Sequence, residues 1–122
     1  MTTRKGANMS RPLSIPPTSA AGRLTPKFAE VTNEVLFGDV WERPDLSKRD
    51  RSLIVVSALL SLGRADQLKF HLEKALDHGV TKDELAEVIT HLAFYAGWPA
   101  AVTAVGLLDQ VLAPKTTDAT AP

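Results

Sequence analysis

The chain has 122 residues, 44% of them apolar, with 14 basic and 14 acidic side chains and no cysteine. This is core material for one domain rather than two, and a net charge of zero supplies no global field to draw in nucleic acid or a membrane surface. Without thiols, disulfides, thiolate metal sites, iron–sulfur clusters and thiol peroxidase chemistry are excluded.

Charge is unevenly placed along the chain. Residues 1–23 carry Arg4, Lys5, Arg11 and Arg23 and no acid, a local +4, whereas residues 24–113 hold nine basic and thirteen acidic side chains. The first stretch is rich in Thr, Ser, Pro and Ala and reads as a flexible basic arm. It has neither the apolar run nor the cleavage site of a secretory leader. Residues 114–122, PKTTDATAP, read as a disordered tail. Between them lies the expected helical domain, residues 24–113.

Thr25-Pro26 offers an N-cap and a proline at the first helical position, followed by Phe28, Val31, Val35 and Leu36 at helical spacing, with Gly38 as a stop. Residues 39–46 form a loop held by Trp41 and turned by Pro44. Ser47 caps the next helix, with Asp50 three positions later in a variant capping box. Leu53, Ile54, Val55, Val56, Ala58, Leu59, Leu60 and Leu62 cover its circumference, so it is expected to be buried all round. After Gly63 a helix from about Ala65 to His78 carries the stripe Leu68, Leu72, Ala75 and Leu76, and Gly79 follows it. Thr81 and Glu84 open another helix, whose apolar face is Leu85, Val88, Ile89, Leu92, Ala93 and Ala96. Gly97-Trp98-Pro99 breaks it. The last helix turns Ala101, Ala104, Val105, Leu108 and Val111 inward. No strand pattern competes, so the fold class is an all-α bundle of five or six helices. Residues 88–108 are long enough for a bilayer span of about 20 residues. The central Gly-Trp-Pro break, scattered polar residues and missing basic flanks make them two soluble helices instead.

Helical bundles place polar chemistry on facing helices, which directs attention to ionisable groups beside apolar stripes. His71 lies on or next to the stripe of its helix. Glu87, His91 and Tyr95 recur every four residues in a polar file, where a carboxylate one turn from an imidazole could fix its tautomer; the same pattern also fits a solvated helix face. Arg51 sits one turn into an apolar helix, against the macrodipole, and suits capture of a carboxylate from Asp50, Glu87 or a ligand. His71, His78, His91 and Glu87 lack metal-ligand spacing, and phosphate-binding loops, dinucleotide fingerprints and nucleophile elbows are absent. Neither a metal nor a cofactor is expected.

Taken together, FGDVW followed by RP, RDRSL, H-L-x-x-A-L-x-x-G-V-T and YAGWPAA, all within residues 37–101, resemble the carboxymuconolactone decarboxylase family. With weaker flanks the likeness extends over residues 25–112. The resemblance implies an alkyl hydroperoxidase D-like helical fold, assembly into homo-oligomers (trimers or hexameric rings) and active sites near subunit interfaces. Members with peroxidase chemistry carry a C-x-x-C pair at the places held here by Arg64 and Gln67, so this chain resembles the cysteine-free, cofactor-independent branch with its Leu62-Gly63-Arg64 sequence. That branch implies a cytoplasmic carboxy-lyase of aromatic-compound catabolism, acting on a carboxylated lactone or related small organic acid. His71 is then the expected proton donor or oxyanion stabiliser, and Arg51 the carboxylate clamp. Glu87 and His91 would tune the pair, with Tyr95, Trp98 and Arg64 completing the substrate site. Two alternatives remain open: another cofactor-free proton-transfer enzyme on the same fold, or a non-catalytic helical oligomer that binds a small anion or a partner.

Overall fold

The computed structural model describes residues 13–114. Arg4, Lys5 and Arg11 of the expected arm, and the expected tail beyond Pro114, lie outside the described residues. Six α-helices run in chain order: α1 (Ala20–Leu24), α2 (Pro26–Val31), α3 (Lys48–Leu62), α4 (Ala65–Asp77), α5 (Lys82–Ala96) and α6 (Trp98–Leu112). A π-helical turn, Thr32–Phe37, continues α2, and a short 3-10 turn, Val40–Glu42, precedes α3. There is no strand among the described residues, and the fold is all-α. No described helix is long and apolar enough to cross a membrane.

The chain divides into two compact units, one ending at Arg51 and the other beginning at Ser52. In the first, Ser19 caps α1 by accepting from the Gly22 amide, so the last residues of the expected arm are helical. The Asn33 side chain holds the extended segment before α1 from both sides. Its Oδ1 accepts from the Ile15 amide at 2.6 Å, and its Nδ2 donates to the Ile15 carbonyl at 2.9 Å. Thr25 starts α2, but its hydroxyl donates back to Ala21 O rather than capping forward. Phe28, Val31, Val35 and Leu36 are exposed rather than buried, and Ala29 alone of α2 is covered. Trp41 is buried, its ring 6.5 Å from that of Phe37. The ion pairs of this unit, such as Lys48 with Glu42, lie on exposed side chains and contribute little to stability.

The second unit contains the core. Val56 and Leu60 of α3 join Leu68, Leu72 and Ala75 of α4, Val80, Leu85, Ile89 and Ala93 around α5, and Ala101, Ala104 and Leu108 of α6. The helix α6 packs against both α4 and α5. These residues recur at three- and four-residue intervals, as the sequence pattern requires. Two expectations are corrected. Helix α3 is not buried all round: only the line Ser52, Val56 and Leu60 is fully covered, while Ile54, Ala58 and Leu62 face solvent. Val105 of α6 also points outward. The physical reason is that an apolar run does not fix which of its faces the neighbouring helices cover, and exposed apolar side chains are common on folded surfaces.

The turns are sharply built. Gly63, at φ +73°, and Gly97, at φ +105°, adopt left-handed backbone that a side chain would strain, and they reverse the chain before α4 and α6. The box at α5 is complete: Thr81 Oγ1 accepts from the Glu84 amide at 3.0 Å, and Glu84 Oε1 accepts from the Thr81 amide at 2.9 Å. Thr81→Ala is expected to destabilise the protein by about 1 kcal/mol, read as a lower urea midpoint with an unchanged m-value.

Candidate active site

The polar chemistry of the second unit gathers on α4. His71, Lys74 and His78 fall at helical spacing of three and four residues, beside the buried stripe of Leu68, Leu72 and Ala75. Lys74 is only 4% exposed, with its ammonium 5.6 Å from the centre of the Phe70 ring. His71 is half-buried with its Nδ1 covered, and its ring meets Phe70 edge-on at 5.1 Å. On α3, the fully buried Ser52 hydroxyl lies 2.8 Å from His78 Nδ1. This hydrogen bond fixes one face of the His78 ring.

Burial holds the His71 pKa below the ordinary histidine value, and the charges of His78 and Lys74 push it further in the same direction. The imidazole is therefore neutral at pH 7. A neutral ring can donate one N–H to a developing oxyanion but has no second proton to supply as an imidazolium acid.

The other candidates sit elsewhere. Arg51 ends the first unit; its Nη2 donates to Arg43 O at 3.0 Å, and its Nε is buried without a hydrogen-bond partner among the described residues. Asp50, one of its expected acceptors, pairs with Arg49 at 3.4 Å. Glu87, His91 and Tyr95 lie on the exposed face of α5, with the His91 and Tyr95 rings 5.1 Å apart. Trp98 is exposed and packs edge-on against Phe94 at 5.5 Å. Arg64 borders a separate cavity of about 360 Å³ between α3, α4 and α6, whose lining includes none of the α4 histidines. Among the described residues, no three of these side chains converge as metal ligands would.

Sequence reasoning missed Ser52 and Lys74 and gave His78 no role beyond possible ligation. The signal for the α4 file was present in the spacing of His71, Lys74 and His78. Nothing in the sequence marks Ser52, rather than Ser57 or Ser61, as the buried hydroxyl of α3, because that depends on the rotation of the helix.

Comparison with known proteins gives this arrangement a family. The carboxymuconolactone decarboxylase family profile matches residues 26–110, and the chain belongs to that family. It is 43% identical over 84 residues to the 4-carboxymuconolactone decarboxylase of Acinetobacter baylyi, a match covering 69% of this chain and 63% of that protein. A nitrosuccinic acid decarboxylase of Metarhizium robertsii is 33% identical over 76 residues, covering 62% of this chain and 53% of the relative. An uncharacterised 15.0 kDa protein of Paracoccus denitrificans is 30% identical over 96 residues, 77% of this chain and 72% of its own length. The chain thus spans less than two thirds of the length of the two decarboxylases.

A depressed histidine pKa has a definite sign in stability. Between the unfolded value near 6.5 and the lower folded value, the unfolded chain binds a proton that the folded chain refuses. The contribution of His71 is therefore fully present above about pH 6.5 and is lost as pH falls through that window. Urea titrations from pH 8 to pH 5 are expected to show a smaller loss of stability for His71→Gln than for the wild type. Ser52→Ala, which strips the half-buried His78 ring of its hydroxyl partner, is expected to cost about 0.5–1.5 kcal/mol at neutral pH.

Proposed function

We propose that the chain is a cofactor-free decarboxylase of a small organic acid, with a carboxylated lactone as the substrate class. The observation that carries this reading is the half-buried, neutral His71 beside the buried Lys74; the decarboxylase names of two relatives support it. In the proposed reaction the bond between the carboxylate carbon and the ring breaks and CO₂ leaves. The electron pair stays with the ring and collects on the lactone carbonyl oxygen as a dienolate. The His71 N–H donates to that oxygen as its charge grows, and the nearby Lys74 ammonium adds positive potential in a poorly hydrated setting. Carbon then takes a proton from solvent water, so each turnover consumes one proton and releases one CO₂, with no change that calls for a redox partner.

Of the two roles expected for His71, the neutral ring favours the oxyanion donor over the cationic acid. Arg51 enters as a binder of the substrate carboxylate, supported by its partly unsatisfied guanidinium. Glu87, His91, Tyr95 and Trp98 enter as side chains that complete the site from a second copy of the chain. Self-association into a trimer or hexamer is part of the reading. Its support is the apolar surface that Phe94, Tyr95, Trp98, Val102 and Val105 leave in water, Trp98 being 60% exposed. A cytoplasmic site of action is part of the same reading.

The test is ultraviolet and CO₂-release assay with 4-carboxymuconolactone. Wild type is expected to turn it over, and His71→Ala to lose about 10²–10⁴-fold in kcat with an unchanged circular dichroism spectrum. A folded wild type that releases no CO₂ from this lactone or from nitrosuccinate would end the decarboxylase reading. Sedimentation velocity is expected to find an oligomer, and Val102→Glu, a change on an exposed helix position, is expected to reduce its size without unfolding the chain.

A further inference from the structure

A buried hydroxyl on α3 meets an imidazole at the end of α4, and the proposed reaction uses neither. Ser57, Thr90 and Thr32 each return the hydroxyl hydrogen to the carbonyl four residues back, at 2.8, 2.9 and 2.7 Å. Ser52 does not. Its side chain is fully buried in line with Val56 and Leu60, and among the described residues its hydroxyl makes a single hydrogen bond, with His78 Nδ1 at 2.8 Å. The ring it meets is mounted on well-fixed backbone. His78 closes α4, and beyond it the Val80 amide donates to Ala75 O at 2.9 Å and the Gly79 amide to Leu76 O at 3.1 Å, the paired bonds of a Schellman end. Gly79 supplies the positive φ of +100° that such an end requires.

We propose that Ser52 is a positioning residue that locks the His78 ring in one tautomer, with the lone pair on Nδ1 and the proton on Nε2. A hydroxyl has one hydrogen to give, and a neutral imidazole has one donor nitrogen and one acceptor nitrogen. Were Nδ1 to carry the proton, it would donate to Ser52 Oγ, and the serine hydrogen would be left buried without an acceptor, at the full cost of its desolvation. With Nδ1 bare, the serine donates, and one bond satisfies both groups. The other nitrogen then carries the hydrogen. His78 thus presents an N–H, rather than a lone pair, at the nitrogen that Ser52 does not hold. Through Nε2 the ring can donate to an oxygen, but it can neither accept a proton as a base nor ligate a metal. The assignment goes beyond the decarboxylase reading, which gives His78 no step, and does not depend on it.

Long-range proton–nitrogen correlation NMR on the nitrogen-15-labelled full chain tests it, at about pH 8, above the ordinary histidine range. The chain has three histidines, and His78→Gln assigns the His78 signals by removing them. The wild-type His78 ring is expected to show a bare Nδ1 and a protonated Nε2. Ser52→Ala is expected to shift both nitrogens toward the averaged positions of a ring that exchanges between tautomers, with circular dichroism checked for retained helix. A proton on His78 Nδ1 in the wild type, a wild-type ring already averaged between tautomers, or a folded Ser52→Ala variant that keeps the Nε2–H tautomer unchanged would overturn the proposal. Should the alanine variant fail to fold, the wild-type spectrum decides alone. Nothing is read from turnover, so failure to decarboxylate any lactone leaves this result intact, and a protonated Nδ1 leaves the His71 assay intact.

Discussion

A lysine held out of water on α4 is the constraint on which the rest of the second unit turns. Burying an ammonium is costly unless its surroundings compensate, and the Lys74 ammonium lies over the Phe70 ring. Once that charge is fixed there, a second positive charge one turn away is disfavoured. His71 responds by staying neutral, a consequence of burial first and of neighbouring charge second. The need to partner His78 then sets the rotation of α3, for only one phase brings Ser52 to that ring and also buries Val56 and Leu60. A polar requirement and a hydrophobic one are met by the same helix orientation. Agreement of this kind marks a sequence that specifies one packing.

The sequence was most legible where the forces are local. The Thr81–Glu84 box, the left-handed glycines and the stripes of α4 and α5 all depend on residues within a turn or two, and each is found as the pattern implies. Legibility fails where the answer depends on which surface arrives. Ile54, Leu62 and Val105 carry the same hydrophobic signal as Val56, Leu60 and Ala104, yet they face solvent in the single chain. A pattern of apolar residues cannot distinguish a core from an interface, because the free energy of dehydration per unit area is the same in both. The π-helical turn after α2 has no sequence signature of its own either; its wider backbone accompanies the Asn33 clamp on Ile15, a contact made between distant residues.

The candidate site was legible in part for the same reason. His71 stood out because an imidazole beside an aliphatic stripe is unusual, and α4 is regular enough for its face to be read directly. Glu87, His91 and Tyr95 formed an equally regular file, but regular spacing says only that side chains share a face, not whether that face is covered. On α5 it is open to water. Arg51 was noticed for opposing a helix dipole, and its Nη2 turns to the Arg43 carbonyl, a backbone acceptor that no charge pattern could name.

The start of α4 carries an electrostatic constraint of its own. An uncapped helix N-terminus favours negative charge, whether that charge belongs to the protein or to a ligand. In this chain Asp66 supplies that charge in the first turn of α4. Arg64 adds a full positive charge to the partial one, and the neighbouring cavity has aliphatic walls. The Arg64 side chain is exposed, so water screens it from the helix dipole that it opposes.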